Sequence, residues 1–590
     1  MKQILFFTLL LSIAMGLKAK SMHGISKLEG DLKYKSSFTH YDFVNPKAPK
    51  RGKVTIGKVG TFESLNPWIV KGVAEEKVSL TRATLLGRSP EESFSMYGAV
   101  AESVETPKDR SWIIFNIRPQ ARWETRDPIT ADDVIFSWET WLKVGQPFMK
   151  TYYSKVEKME KLGNLRVKMT FKKVSPPDKE VPLILSMMPL LSKKAYEGKD
   201  LTKLTHLPLI GNGPYRIKSV DFGRSLVFER NKDFWGKDLP VYQGRYNFDE
   251  IRIDYYRDGA SKFEAFKSGK IDYIEEEDPQ KWVEDYHFPS SKHIVKEEIT
   301  HNRPEGMTAF ALNTRRDFFH DIRVREAFNL AFNFDWVNKT CFQGQYTRLN
   351  SFFANGDFAA KGMPSKAELK ILKAYKDQLP ESVFKDIANA TPKIIESTER
   401  LHIKAAQKLL KEAGWVLEQG KLVHEKTKKP FIVEIIIADP FYEKVALGLV
   451  RNLKSLGVVV NLKLLDGAQY ERRKVDFDYD ILFHNWFAAK SPGNELINYV
   501  SSSSADTPGS RNYPGIKNPV IDALIPKIIA AKTKKELVVY VNALDRILMG
   551  EFYLIPLGYL SKDMIAHKSR LKHPKHTAHL ESRLESWWTD

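Results

Sequence analysis

At 590 residues, with 42% hydrophobic and 28% charged residues and a formal net charge of +19, the chain exceeds what a single hydrophobic core supports, and its ordinary composition excludes wholesale disorder. One cysteine, Cys341, excludes any internal disulfide. The lysines and arginines are scattered and interleaved with acids, with no basic helix or RNA-binding signature, so the excess reads as a solvated surface that also favours anionic solutes, and nucleic acid is set aside.

The chain opens on Met1-Lys2, runs apolar from Ile4 to Leu17 and offers Leu17-Lys18-Ala19 for cleavage, the pattern of a secretory signal peptide removed near Ala19. That run is too short to span a bilayer, and no later segment approaches the ~18 apolar residues that spanning needs. Cys341 lies far from the cleavage point, so the reading is a freely diffusing periplasmic protein and not a lipoprotein. In its aromatic setting, Asn338 to Phe342, the thiol reads as a small buried hydrophobe.

Residues 20 to 50 form a lysine-rich lead-in, and Val54 to Gly57 predicts a strand. It delivers the loop Gly60 to Trp68, whose Phe62, Asn66 and Trp68 are candidate ligand contacts at the carboxyl edge of a sheet. Ser111 to Ile117 is a further strand. Thr130-Ala131-Asp132-Asp133 starts a helix, and capping explains its paired aspartates better than acid–base chemistry does. Gly211-Asn212-Gly213-Pro214 lacks the third glycine and following helix of a phosphate loop and reads as a structural turn. The acids Glu275 to Asp278 have no metal-loop spacing and read as a solvated rim.

From Met307 the pattern changes. Thr308 to Asn313 is a strand ending on an amide, Asn313, another candidate contact. Asp321 to Phe332 has a helical apolar stripe. Residues 361 to 400 are polar, helical and loosely packed in this reading. Leu401 to Ala413 is an amphipathic helix stopped by Gly414. Ile432 to Ile437, Val445 to Leu456, Val458 to Leu464 and Asp480 to Phe483 alternate strand, helix, strand and strand, which predicts a second α/β unit. Asn485 to Tyr513 then reads as a long loop of rings, amides and one arginine, parts suited to a polar-ligand pocket. Asn485, Trp486, Lys490, Ser491, Asn494, Arg511, Asn512 and Tyr513 are its candidate ligand contacts. Asn518 to Ala531 and Lys534 to Met549 are helical, Phe552 to Leu557 is a strand, and the tail is basic.

Several blocks taken together carry a family resemblance: Ala101-Glu102-Ser103 with Trp112 to Arg118, Thr130 to Val134, Gly211 to Tyr215 with Arg230 to Gly236, Leu312-Asn313-Thr314, Arg323 to Phe328, and Leu409 to Trp415. They span roughly residues 40 to 560 and resemble the family 5 extracellular solute-binding proteins, which serve ABC importers of peptides, nickel and related solutes. His40 to Pro49, Phe62 to Pro67, Ser491 to Glu495 and Ala505 to Tyr513 are similar to a YejA-like subgroup. The resemblance implies an α/β, type II, cluster C-like periplasmic binding protein with two lobes and a ligand cleft between them. It implies lobe 1 over residues 20–305, lobe 2 over 306–489 and a C-terminal return to lobe 1 over 490–590. It also implies a monomer that captures peptides or peptide conjugates, muropeptides or microcin C-like compounds among them, for a YejBEF-like permease. Family members that bind peptides often carry an aspartate shortly after the tryptophan corresponding to Trp486; here Phe487-Ala488-Ala489-Lys490 follows. Lys490 and Arg511 suggest an acidic or amine-blocked ligand instead.

Two other function classes find less support in the residues. A peptidoglycan hydrolase would need more than Ser382-Val383-Phe384-Lys385, a Ser-x-x-Lys match without partner motifs, and neither Gly-x-Ser-x-Gly nor His-Glu-x-x-His occurs. No catalytic residue and no cofactor is assigned. A nickel or haem carrier of the same fold would draw on His573, His576 and His579, but Pro574 interrupts a helix there, so the reading is a solvated tail with no metal site.

Overall fold

The computed structural model describes residues 20–590 except 29–31, 70–71, 175–177, 289–291, 395, 487–489 and 576–582. The expected leader, residues 1–19, lies outside the described residues, as do Phe487, Ala488, Ala489, His576 and His579.

Each of the two main sheets contains strands buried on both faces. In Lys562–Lys568, Met564 and Ala566 face one core and Ile565 faces the other, as the pleat requires. That strand sits second in a seven-stranded mixed sheet ordered Ile294–Thr300, Lys562–Lys568, Tyr273–Glu276, Lys53–Val59, Glu250–Tyr256, Ser225–Arg230 and Tyr215–Asp221. The other sheet is ordered Val459–Leu464, Ile432–Ile437, Ile481–Asn485, Thr308–Leu312 and Leu554–Pro556. Its Ala309, Ala311 and Leu482 face one core, and Phe310, Leu312, Ile481 and Phe483 the opposite one. A four-stranded antiparallel sheet, a three-stranded one that includes Gly24–Ser26, and the helix Ala131–Val144 enlarge the first lobe.

The chain passes between the two main sheets twice, through residues 301–307 and again between Pro556 and Lys562. In the first crossing a Cβ on Gly306 would fall 1.8 Å from the Trp486 carbonyl oxygen, so only glycine fits there. The second crossing corrects the expected lobe division. Residues 490–556 do not return to lobe 1: the helices Pro519–Ala530 and Lys534–Gly550 bury Ile521, Leu524, Leu537, Val541 and Leu548 in the core shared with Ala309, Leu482 and Leu554. Helix periodicity shows which face is buried but not the sheet that covers it.

Two further expectations change. Residues 361–400 are not loosely packed; Leu372, Leu379, Val383 and Ile387 are buried in that same core. The stretch 485–513 is not one loop, because Glu495–Val500 is helical and Ser502–Ser504 forms a 3-10 turn. The Thr130 helix start stands: the Thr130 N–H donates to the Asp133 carboxylate at 2.8 Å. Among the described residues no helix is long and apolar enough to cross a membrane.

Candidate functional site

A cavity of about 900 Å³ lies between the lobes, within the size range of ligand pockets. Leu28, Glu91, Glu92 and Phe94 come from the first lobe, Arg303 and Tyr559 from the crossings, and Arg348, Asp357, Phe358, Lys361, Asp386, Lys490 and Lys534 from the second. Phe94 and Phe358 meet edge to face across it, with ring centroids 6.0 Å apart.

Charges of both signs line this space, and most are held by neighbours. Arg303 forks onto Asp563 at 2.6 and 2.7 Å, and Lys534 pairs with Asp357. In Arg348, Nη1 donates to the Pro392 carbonyl at 2.6 Å, while buried Nε and Nη2 have no hydrogen-bond partner among the described residues. Burial lowers its pKa to about 10, so it stays cationic, with its guanidinium 5.9 and 5.7 Å from the Phe332 and Phe334 rings.

The second-lobe wall of the cavity, residues 350–362, is pinned from beneath by consecutive charged residues of the helix Lys534–Gly550. Asp545, fully buried, accepts from Ser351 Oγ at 2.6 Å, Phe352 N at 2.8 Å and Ala360 N at 2.9 Å. Arg546 donates to the carbonyls of Gly362 at 2.8 Å and Lys361 at 2.9 Å. Sequence reasoning missed both; the available signal was a charged pair inside the otherwise apolar run Ala543 to Met549.

Beside the cavity a polar contact joins the lobes. Lys27, only 2% exposed, donates to the Pro492 carbonyl at 3.0 Å and to Ser491 Oγ at 3.4 Å, and lies 3.7 Å from Glu180. Asn494 Nδ2 reaches Glu180 at 2.9 Å and Asp178 at 3.2 Å. Next to it, burial and then the neighbouring Glu180 push the Glu495 carboxyl up to about 7.

The expected site residues fall into separate groups. Lys490 lines the large cavity, and Ser491 and Asn494 belong to the inter-lobe contact. Trp486 lines a small apolar cavity of about 40 Å³ with Glu495 and Tyr499. The Trp486 indole donates to the Arg511 carbonyl at 3.0 Å and clusters with His484 and Tyr513. Burial first, then Lys474 and Arg511, lowers His484 to about 3, so its ring is neutral. Arg511 stacks on Tyr499 and donates to its hydroxyl at 2.5 Å. Asn485 is exposed at the strand end, opposite Thr308. Trp68 lies under the Arg82 guanidinium, 5.2 Å from it. Phe62, Asn66, Asn313 and Asn512 are buried; Asn313 serves the carbonyls of Phe477 and Tyr479, and Asn512 those of Ser501 and Ile516.

Known proteins share this architecture. Residues 95–508 match the family model of bacterial extracellular solute-binding proteins, family 5, middle region. A binding protein of Brucella suis is 38% identical over 97% of this chain and 93% of its own length. A YejA protein of Agrobacterium fabrum, named for peptide binding, is 36% identical over 96% of this chain and 94% of its own length. The peptidoglycan-binding protein YepA of the same organism is 35% identical over 97% and 95%. Among solved structures, the oligopeptide-binding protein AppA of Bacillus subtilis, in complex with a nonapeptide, superposes with a TM-score of 0.67 at 17% identity, covering 92% of this chain and all of that one. With a family model matched over most of its length and relatives aligned nearly end to end, this chain belongs to the bacterial extracellular solute-binding proteins, family 5.

Proposed function

We propose that this protein captures peptides or peptide conjugates, amine-blocked or acidic muropeptides foremost, in the cavity between its lobes and hands them to a YejBEF-like permease. As a family 5 member it is the substrate-binding component of an ABC importer and works in the periplasm. The observation that carries the ligand reading is the cavity of about 900 Å³ whose two walls belong to different lobes and whose lining mixes amides, rings and charges of both signs. A peptide presents that same mixture. The relatives named for peptide and peptidoglycan binding support the class. Lys490 on the wall and the absence of a carboxylate immediately after Trp486 support a ligand without a free amine.

Contacts to both lobes at once would favour the closed arrangement, and the permease would read that arrangement. No bond-making is required. Ser382, the serine of the Ser-x-x-Lys match, donates its hydroxyl to the Gly550 carbonyl at 2.7 Å in a structural turn. Residues 1–19 act as the export leader in this reading, and the mature chain acts as a monomer.

The test is calorimetry on protein stripped of ligand by unfolding and refolding. Amine-blocked anhydromuropeptides are expected to bind more tightly than a free-amine peptide of the same length. Tighter binding of the free-amine peptide, or no heat from either, would overturn the proposal.

A further inference from the structure

The C-terminal tail folds back over the edge of the seven-stranded sheet and brings three donor groups to one point. In the antiparallel pair Ile294–Thr300 and Lys562–Lys568, Glu297 lies opposite Ile565 and Val295 opposite His567. Glu297 and His567 therefore share a face as diagonal neighbours, within reach of long side chains. Beyond that strand Leu571–Lys572 pairs with Trp588–Thr589, which delivers His573 to the same face. The donor atoms of Glu297, His567 and His573 all lie within 4.8 Å of one another. His573 Nε2 is 2.8 Å from Glu297 Oε2, and His567 Nε2 is 3.9 Å from it.

Both imidazoles are held by their other nitrogen. His567 Nδ1 is 3.0 Å from the Lys568 carbonyl, and His573 Nδ1 is 2.9 Å from the Pro574 carbonyl. A carbonyl only accepts, so Nδ1 carries the proton in each ring. In a neutral ring Nε2 then presents its lone pair, and both point toward the Glu297 carboxylate. A carbonyl or carboxylate behind Nδ1 is how proteins orient histidines that ligate metals. Trp587 fixes the pair further, stacked on His573 with centroids 4.6 Å apart and edge-on to His567 at 5.0 Å.

A protonated His573 paired with Glu297 would explain one of these contacts and leave the other without a reason. His567 is 2% exposed, and among the described residues its Nε2 has no hydrogen-bond partner. A buried acceptor left without a partner carries a cost that a ligand at that point would remove.

We propose that Glu297, His567 and His573 form a zinc site that clips the C-terminal tail to the edge of the first-lobe sheet. Two neutral imidazoles and a carboxylate are a donor set that zinc prefers, and three protein ligands leave a fourth position for water. Tetrahedral zinc spaces its donors by about 3.3 Å, so the 2.8 Å contact opens and the 3.9 Å contact closes by roughly half an ångström each, and the two imidazole nitrogens, within 4.8 Å of each other, close by at most about 1.5 Å. The site lies on the sheet edge, distinct from the cavity between the lobes, and its role is to hold the segment that carries the buried Trp587.

Untagged full-length protein stripped with EDTA tests this, with zinc chloride titrated by calorimetry and bound metal counted by mass spectrometry. The wild type is expected to take up about one zinc ion per chain. His573→Ala and Glu297→Gln, both at partly exposed positions, are expected to weaken that uptake by on the order of 100-fold or more, while unfolding at the wild-type temperature in EDTA. No uptake by the wild type, or zinc affinity in either variant within tenfold of it, overturns the proposal.

Discussion

Replacing Asp545 by alanine should loosen the second-lobe wall of the cavity without replacing any residue that lines it. The carboxylate accepts from Ser351 Oγ, Phe352 N and Ala360 N. In Asp545→Ala the serine hydroxyl can turn elsewhere, but two backbone N–H groups lose their acceptor, at about 1–3 kcal/mol each. Part of this is offset at neutral pH. Burial raises the Asp545 pKa from 3.8 to about 6, and a shift of about two units makes the ionised form cost about 3 kcal/mol in the folded state. The sign follows from linkage: with the folded pKa raised, the wild-type contribution is fully present below about pH 4 and is lost as pH rises through about 6. The alanine variant has no such dependence, so its penalty should be about 2 kcal/mol larger at pH 4.5 than at pH 7. Amide exchange of residues 350–362, corrected for intrinsic rates, reads this directly as local opening. At pH 4.5 protection is expected to fall by roughly 30-fold or more. Unchanged protection, or a penalty that grows as pH rises, would refute the reasoning.

Lys27→Met should weaken the inter-lobe contact by about 1.5–3 kcal/mol, because charged hydrogen bonds to Pro492 and Ser491 are lost; small-angle scattering of the ligand-free protein should show a larger radius of gyration, and an unchanged profile would contradict this. The raised Glu495 carboxyl makes the same contact pH-sensitive: its contribution is present at low pH and fades as pH rises through about 7. The wild type should therefore be more extended at pH 8.5 than at pH 6, and Glu495→Gln should abolish the difference. Arg315 holds the carbonyls of Ala505, Asn512 and Tyr513 while stacking 3.8 Å from the Phe477 ring; Arg315→Lys keeps the charge but loses the fork, and should lower the unfolding free energy measured in urea by about 1–3 kcal/mol, an unchanged value contradicting this.

Much of the fold could be read from local pattern. Trp112–Ile117, Thr308–Leu312 and Ile432–Ile437 are strands where alternation or a short apolar run predicts them, and Asp133 caps its helix where the spacing of Thr130 predicts it. The return to lobe 1 was misplaced because an amphipathic helix does not specify the sheet it covers. The site was only partly legible for a related reason. Rings and amides recommended Phe62, Asn66, Asn313 and Asn512, yet a short amide is equally suited to satisfying turn carbonyls, and Asn313 and Asn512 do so. Arg348, Asp545 and Arg546 come to the cavity wall through contacts far apart in sequence, which no spacing records.

The most direct measurement of the central claim is mass spectrometry of the native protein isolated from the periplasm without ligand removal. The account predicts a one-to-one complex whose released solute yields amino acids on hydrolysis, together with amino sugar where it is a muropeptide. A bound solute free of amino acids, or a metal chelate in the cavity, would contradict it.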